Sequence, residues 1–277
     1  MPQDYVTIQA AIDSSADGDT VLVSEGIYFE NIRYRGKAIT VASLYLVDGD
    51  TTHIDRTIID GSRSTDQDSG SVVYFVSGED TTSVLCGFTI TGGTGTRYYN
   101  NLVTGIPGWV RAGGGIFSDS AGARIVRNNV TRNRVMGVAS LGGGLEHFGT
   151  RTFVPFVIVE GNRVTDNYVR GTASNCWACS GGADFAGVDV RVVQNVFERD
   201  TAEGTSGAAG GGVSFWIYDL DTTVPGGFLR LPEEPDNGSL GVARIRFDLR
   251  VMIVGHGQVR IERKCAAKRP LRQFAMV

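Results

Sequence analysis

The sequence predicts an all-β chain wound as a parallel β-solenoid, and three observations carry that expectation. Four Gly-rich stretches share one form: Gly-Gly-Gly-Ile-Phe at 113–117, Gly-Gly-Gly-Leu-Glu at 142–146, Ser-Gly-Gly-Ala-Asp at 180–184 and Gly-Gly-Gly-Val-Ser at 210–214. Between them a second unit recurs at 124–133, 158–167 and 191–200, and its Asn128, Asn162 and Asn195 fall 34 and 33 residues apart. Self-similarity at a period of ~20–50 residues marks an architecture in which no repeat buries its apolar face alone. Within each unit apolar residues alternate with period two, the periodicity of a strand rather than a helix.

Aligned on the asparagines, Ile125, Val159 and Val192 share one side with Val130, Val164 and Phe197, while Arg124, Ile158 and Arg191 face the other way. Each coil is expected ~4.8 Å above the last, with the three asparagines stacked as an amide ladder. Asn133, Asn167 and Asp200 are expected at the next bend, because Asn and Asp tolerate left-handed backbone.

The chain opens on residues 7–13, where Ile8, Ala11 and Ile12 share a helical face and Thr7 is a plausible N-cap. A helix of about 7–16 here would plug the open end of the solenoid, since exposed strand edges invite aggregation. Turn residues Asp17-Gly18-Asp19 follow, then the strand Thr20-Val-Leu-Val23.

Composition agrees. Glycine supplies 38 of 277 residues, about twice the usual ~7%. The expected organisation is a β-helix domain over 1–243 and a basic segment over 244–277, read as a last coil, a cap or a disordered tail. That segment holds nine Lys/Arg against two Asp/Glu, leaving 17 against 28 in residues 1–243. A net charge of −4 gives no nucleic-acid footprint, and no apolar run approaches the ~18–20 residues of a membrane span.

The stretches Tyr5-Val-Thr-Ile-Gln-Ala-Ala-Ile-Asp13, Gly18-Asp-Thr-Val-Leu-Val23, Gly26-Ile-Tyr-Phe-Glu-Asn-Ile32, Thr57-Ile-Ile-Asp-Gly61 and Gly87-Phe-Thr-Ile-Thr-Gly-Gly93 resemble the opening of right-handed parallel β-helix proteins of the pectin-lyase-like superfamily. The Gly and Asn units are similar to that family's coil repeats, so the resemblance covers roughly 5–216. It implies a right-handed coil and an extracellular or cell-surface protein. It implies a leader or another domain before the opening helix, although no signal peptide is legible at Met1-Pro2-Gln3-Asp4. Two functions are implied: a polysaccharide-binding protein, extending to a Ca²⁺-dependent lyase on uronic-acid polymers, or a non-catalytic structural or adhesive module of a larger surface protein. A monomer is expected in either case.

Candidate chemistry is sparse. Residues 94–111 read as an inserted loop whose Tyr98, Tyr99 and Trp109 either stack on sugar rings or pack against the coil. Aligning the Gly strands turns Ile116, Leu145, Ala183 and Val213 inward. It leaves Phe117, Glu146, Asp184 and Ser214 as an outward column, expected at solvent. Glu146 and Asp184 would sit one strand apart, and carboxylates that close need a shared proton, an Arg or a bound Ca²⁺; on the family resemblance they are the metal candidates. Arg111, Arg151 and Asp119 are possible neighbours, and Arg124, Arg191 and Glu160 read as an ion-pair cluster on another sheet. His147 aligns with Phe185 and Phe215 and is expected inward; His53 lies in a polar turn with nothing converging on it. Gly255-His256-Gly257 lacks the paired carboxyls that glycoside hydrolysis needs. Cys176 and Cys179 are spaced for a loop disulfide or for free thiols, and Cys86 shares parity with buried neighbours.

Overall fold

The computed structural model describes residues 5–100, 108–150, 153–172, 177–204, 207–209, 211–216, 248–254 and 258–263. Cys176, Arg151 and His256 lie outside them. Three parallel sheets form a prism. Sheet 1 runs through Thr20–Val23, Thr40–Ser43, Val84–Cys86, Ala123–Val126, Phe156–Glu160 and Asp189–Val193. Sheet 2 runs through Gly26–Tyr28, Thr57–Asp60, Thr89–Thr91, Asn129–Thr131, Arg163–Thr165 and Val196–Glu198. Sheet 3 runs through Ile32–Arg33, Val73–Phe75, Ile116–Asp119, Leu145–Phe148, Ala183–Ala186 and Val213–Trp216. The chain visits sheets 1, 2 and 3 in turn through six coils, which makes an all-β parallel β-helix; the crossover rule for parallel strands gives it the right hand.

Like residues stack as the sequence requires. Val130 pairs with Val164, and Val164 with Phe197. Ile125 pairs with Val159, and Val159 with Val192. These columns line one continuous core with Ile116, Leu145, Ala183 and Phe185. At the far end of sheet 1 the strand Asp248–Val254 lies antiparallel on Asp189–Val193 and pairs in turn with Gln258–Arg263.

The capping helix is Ile8–Ser14, with the Thr7 hydroxyl accepting from the Ala10 N–H and with Ile8 and Ile12 buried. Both of its ends are tied to the coils. The Glu30 carboxylate accepts from the Ile8 and Gln9 N–H groups, each at 2.9 Å. The Lys37 ammonium donates to the carbonyls of Ile12, Asp13 and Ser15 at 2.7, 2.8 and 2.7 Å. Anion at the N-terminus and cation at the C-terminus satisfy the orphan backbone groups and complement the helix dipole.

Two amide ladders hold the corners of sheet 2. In the first, the Asn128 and Asn162 N–H groups donate to the side-chain oxygens of Asn162 and Asn195, both at 2.8 Å. In the second, the Asn133 and Asn167 N–H groups donate to Asn167 and Asp200 at 3.1 and 2.9 Å. The left-handed residue at each corner is not the rung, as expected from sequence, but the residue before it: Arg127, Gly161 and Gln194 in one corner, Arg132, Asp166 and Arg199 in the other, with φ between 56° and 65°. That reversal turns the rung's side chain into the coil, where it can bond up and down the stack.

Two further sheets depart from a three-sided coil. After the second corner the chain leaves the prism along sheet 5, Arg134–Gly137, Tyr168–Gly171 and Thr201–Glu203. It returns along sheet 4, which contains Ser69–Gly70, Gly95–Asn100, Gly108–Ala112, Ser140–Leu141, Trp177–Cys179 and Gly207–Ala209. Much of the stretch read as a loop at 94–111 is therefore an antiparallel pair in sheet 4, with Tyr99 opposite Trp109. Sheet 4 lies over the outer face of sheet 3, where Val110, Ala112 and Leu141 pack on Tyr74, Phe117, Phe148 and Ala186 in a second apolar cluster.

Candidate functional site

The alternation of a strand divides the three aromatic candidates. Tyr99 and Trp109 face outward, 53% and 52% exposed, with ring centroids 5.3 Å apart at 76°. The Arg97 guanidinium lies 4.2 Å over the Trp109 ring, and Asp68 approaches both Arg97 (3.4 Å) and Arg111 (3.5 Å). Tyr98, one residue along, turns to the other face. It stacks on Phe148 at 4.7 Å and 13°, and its hydroxyl lies 3.5 Å from an Asp119 carboxylate oxygen. Burial first, then the charge of Asp119 and its hydrogen bond, pushes its phenol up to about 12. Tyr98 thus packs sheet 4 onto sheet 3, and the exposed platform is Tyr99 and Trp109.

The carboxylate column is in register, Phe117 beside Glu146, Glu146 beside Asp184 and Asp184 beside Ser214. Its expected exposure is overturned: Glu146 is 0% and Asp184 1% exposed, because sheet 4 and its apolar side chains cover this face. Asp184 accepts from the Ser214 hydroxyl, which lies 2.5 Å from that of Ser180. Both Glu146 oxygens are without a hydrogen-bond partner. Burial first, and the neighbouring Asp184 second, hold the Glu146 acid well above the usual carboxylate range. Gly142 makes room for it, since a Cβ there would stand 2.7 Å from the Glu146 Oε2.

A Ca²⁺ ion takes 6–8 oxygen ligands. Here two carboxyls and two hydroxyls meet beside Phe117 and Phe148, and among the described residues no three His, Cys, Asp or Glu side chains converge as metal ligands. Covered in this way, the pair does not fit a Ca²⁺ presented to a dissolved polymer. It fits a neutral Glu146 beside Asp184, the proton being the cheapest relief for two buried acids. A folded-state acid raised above its unfolded value contributes stability below the unfolded value and loses it as pH rises. Glu146→Gln, which keeps the shape, is therefore expected to match the native chain near pH 4. The stability gap in its favour should widen by about 1.4 kcal/mol per pH unit from pH 5 upward, read from paired urea melts; parallel curves would refute the assignment.

On the same strand His147 points the other way, into the core, stacked on Phe185 at 5.4 Å and 11° with Phe215 beyond. Neither ring nitrogen has a hydrogen-bond partner, and burial pushes the imidazole down to about 3, so it is a neutral core residue. His53 does have company, contrary to expectation: its Nδ1 lies 2.8 Å from Glu25 and its Nε2 3.1 Å from Asp48, a link that holds the helices Tyr45–Asp48 and Thr52–Arg56 to the first coil and raises its pKa. Arg124 pairs with Glu160 at 3.7 Å, and Cys86 is buried with its thiol pushed up. Among the described residues no helix is long and apolar enough to cross a membrane. No protein-family model, curated protein or solved structure matches the chain.

Proposed function

We propose that this chain is a secreted or surface β-helix module of the pectin-lyase-like kind that binds polysaccharide without cleaving it. The observation that carries the reading is the Tyr99–Trp109 pair. Two aromatic rings stand half exposed on adjacent strands of a paired sheet, where both backbones are fixed before a ligand arrives. Aromatic faces of this kind stack on the apolar faces of sugar rings, and preordering removes part of the entropy that binding would otherwise lose. A Ca²⁺-dependent lyase would need Glu146 and Asp184 to reach the polymer, and their cover of sheet 4 counts against it. The test is affinity electrophoresis through gels holding neutral or acidic polysaccharides. The native chain is expected to be retarded by at least one of them, and Trp109→Ala to weaken binding about ten-fold, the worth of one such contact of ~1.4 kcal/mol. Retardation by none would leave the structural or adhesive module as the function. A rise in unsaturated-uronate absorbance on incubation would restore the lyase.

A further inference from the structure

The second ladder ends on a residue that departs from its own pattern. Asn133 and Asn167 each accept through the side-chain oxygen and donate through the side-chain nitrogen. Their Nδ2 groups reach the carbonyls of Ile90 and Val130 at 3.2 and 2.9 Å. The last rung of the first ladder does the same, the Asn195 Nδ2 reaching the Val159 carbonyl at 2.7 Å. Asp200 holds the last place in the second. Its Oδ1 accepts from the backbone and side-chain nitrogens of Asn167, both at 2.9 Å, as an asparagine oxygen would. Its Oδ2 is buried and has no hydrogen-bond partner.

The glycines show which atom Oδ2 replaces. A Cβ on Gly115 would stand 2.9 Å from the Asn133 Nδ2, and one on Gly144 would stand 3.1 Å from the Asn167 Nδ2. A Cβ on Gly182 would stand 2.7 Å from the Asp200 Oδ2. Oδ2 therefore occupies the donor position of the rung, and a carboxylate has nothing to donate.

We infer that Asp200 is carried as a neutral acid with its proton on Oδ2, holding the place of the amide in the last rung, so that this corner of the final coil, which buries the group, weakens when the proton leaves. Of the surrounding charges, Asp166 adds to the rise of the acid and Arg199 opposes it, and neither bonds to Oδ2. Asp166 and Arg199 are tied to each other by two 2.7 Å bonds, and Glu198 turns to Arg163 at 3.1 Å and Arg199 at 3.6 Å. Among the described residues, the glycines that come up against Asp200 from the turns of sheet 3 are Gly182 and Gly211. Burial, the largest influence, pushes the acid up to about 8. The folded value lies above the unfolded one, so the contribution of this rung is full in acid and is lost as pH rises to about 8. The strands loosened are Val196–Glu198 and Thr201–Glu203, which makes this end of the solenoid a pH-sensitive element whose stability falls from the ordinary carboxylate range up to about pH 8.

Two readouts on the full chain test this. In a carboxyl ¹³C titration the Asp200 resonance, assigned in the native chain by through-bond correlation to its own backbone amide, is expected to move near pH 8 rather than in the ordinary carboxylate range. Amide protection factors for 196–203 are expected to fall about ten-fold per pH unit between pH 6 and 8 in the native chain and to stay level in Asp200→Asn. Titration of the native carboxyl below pH 5 would overturn the inference, and that reading needs no variant to fold. So would a parallel loss of protection in both chains.

Discussion

Replacing the central rung, Asn162→Ala, is expected to remove about 3–5 kcal/mol of stability, a large part of the 5–15 kcal/mol that a folded domain has. Five side-chain bonds go at once, the longest being the 3.3 Å from the Asn162 Nδ2 to the Glu160 carbonyl. The Asn162 Oδ1 accepts from the Asn128 N–H and Nδ2 at 2.8 and 3.1 Å, and its Nδ2 donates to Ile125 and Asn195 at 2.8 and 2.9 Å. Two losses dominate. The Asn128 N–H lies at a dry corner of sheet 2, where a buried donor left without a partner costs about 1–3 kcal/mol, and the Ile125 carbonyl loses one of its acceptor bonds, worth ~1 kcal/mol. The remaining partners keep a second bond: the Asn128 Nδ2 still reaches Leu85 and the Asn195 Oδ1 still receives the Asn162 N–H. Arg163→Ala, next in sequence, is the control. Its guanidinium pairs with Glu198 at the surface, and such a pair is worth ~0–1 kcal/mol. Urea melts of the two variants within 1 kcal/mol of each other would show that the ladder is a by-product of stacking and not its cause. Asn162→Asp adds a sharper comparison, since it recreates at the middle of one ladder what Asp200 is at the end of the other. It is expected to lose most of its stability at pH 8 and to recover much of it near pH 4.

The coil was legible in the sequence because its determinants repeat at a fixed offset. An asparagine that must bond to the one above recurs every 33 or 34 residues. Strand parity about it placed Val130, Val164, Ile116 and Leu145 inside without reference to anything distant. The burial of Glu146 and Asp184 was not legible, for a physical reason. Parity assigns a side chain to a face of its own sheet, and only the rest of the chain decides whether that face meets water. Here the cover is sheet 4, whose strands are as short as Ser140–Leu141, too short for any periodicity to mark them. A signal was present: Phe117 and Phe148 share the outward parity, along with Tyr74, and three aromatics facing water on one sheet are costly unless something packs on them. The ends of the capping helix were half legible in the same sense. Thr7 lies beside its target, whereas Glu30 and Lys37 reach theirs only after the first coil has closed.

Gly143→Ala is expected to lower the melting temperature by about 6–12 °C, the shift that some 3 kcal/mol produces in a chain of this size. The reason is distance between coils. A Cβ on Gly143 would lie 2.3 Å from the Gly181 carbonyl oxygen and 3.1 Å from the Tyr168 carbonyl carbon, and one on Gly114 would lie 2.3 Å from the Gly143 oxygen. These are backbone atoms of the next coil, fixed by their own hydrogen bonds, so no rotamer change can make space. Gly26→Ala is the matched control, because its Cβ would meet only the edge of the Tyr28 ring at 3.4 Å, an ordinary contact. The next residue, Gly144, sits over the Asn167 Nδ2, and Gly115 over that of Asn133. The second glycine of each triplet thus sets how closely the coils approach, and the third sets where the rung's amide lies. Coil spacing and ladder bonding depend on the same few ångströms. A double variant, Gly143→Ala with Asn167→Ala, should therefore fall short of the sum of its parts, because spreading the coils already lengthens the bonds that Asn167 makes. Strict additivity in the melts would mean that the two repeated units of the sequence act independently.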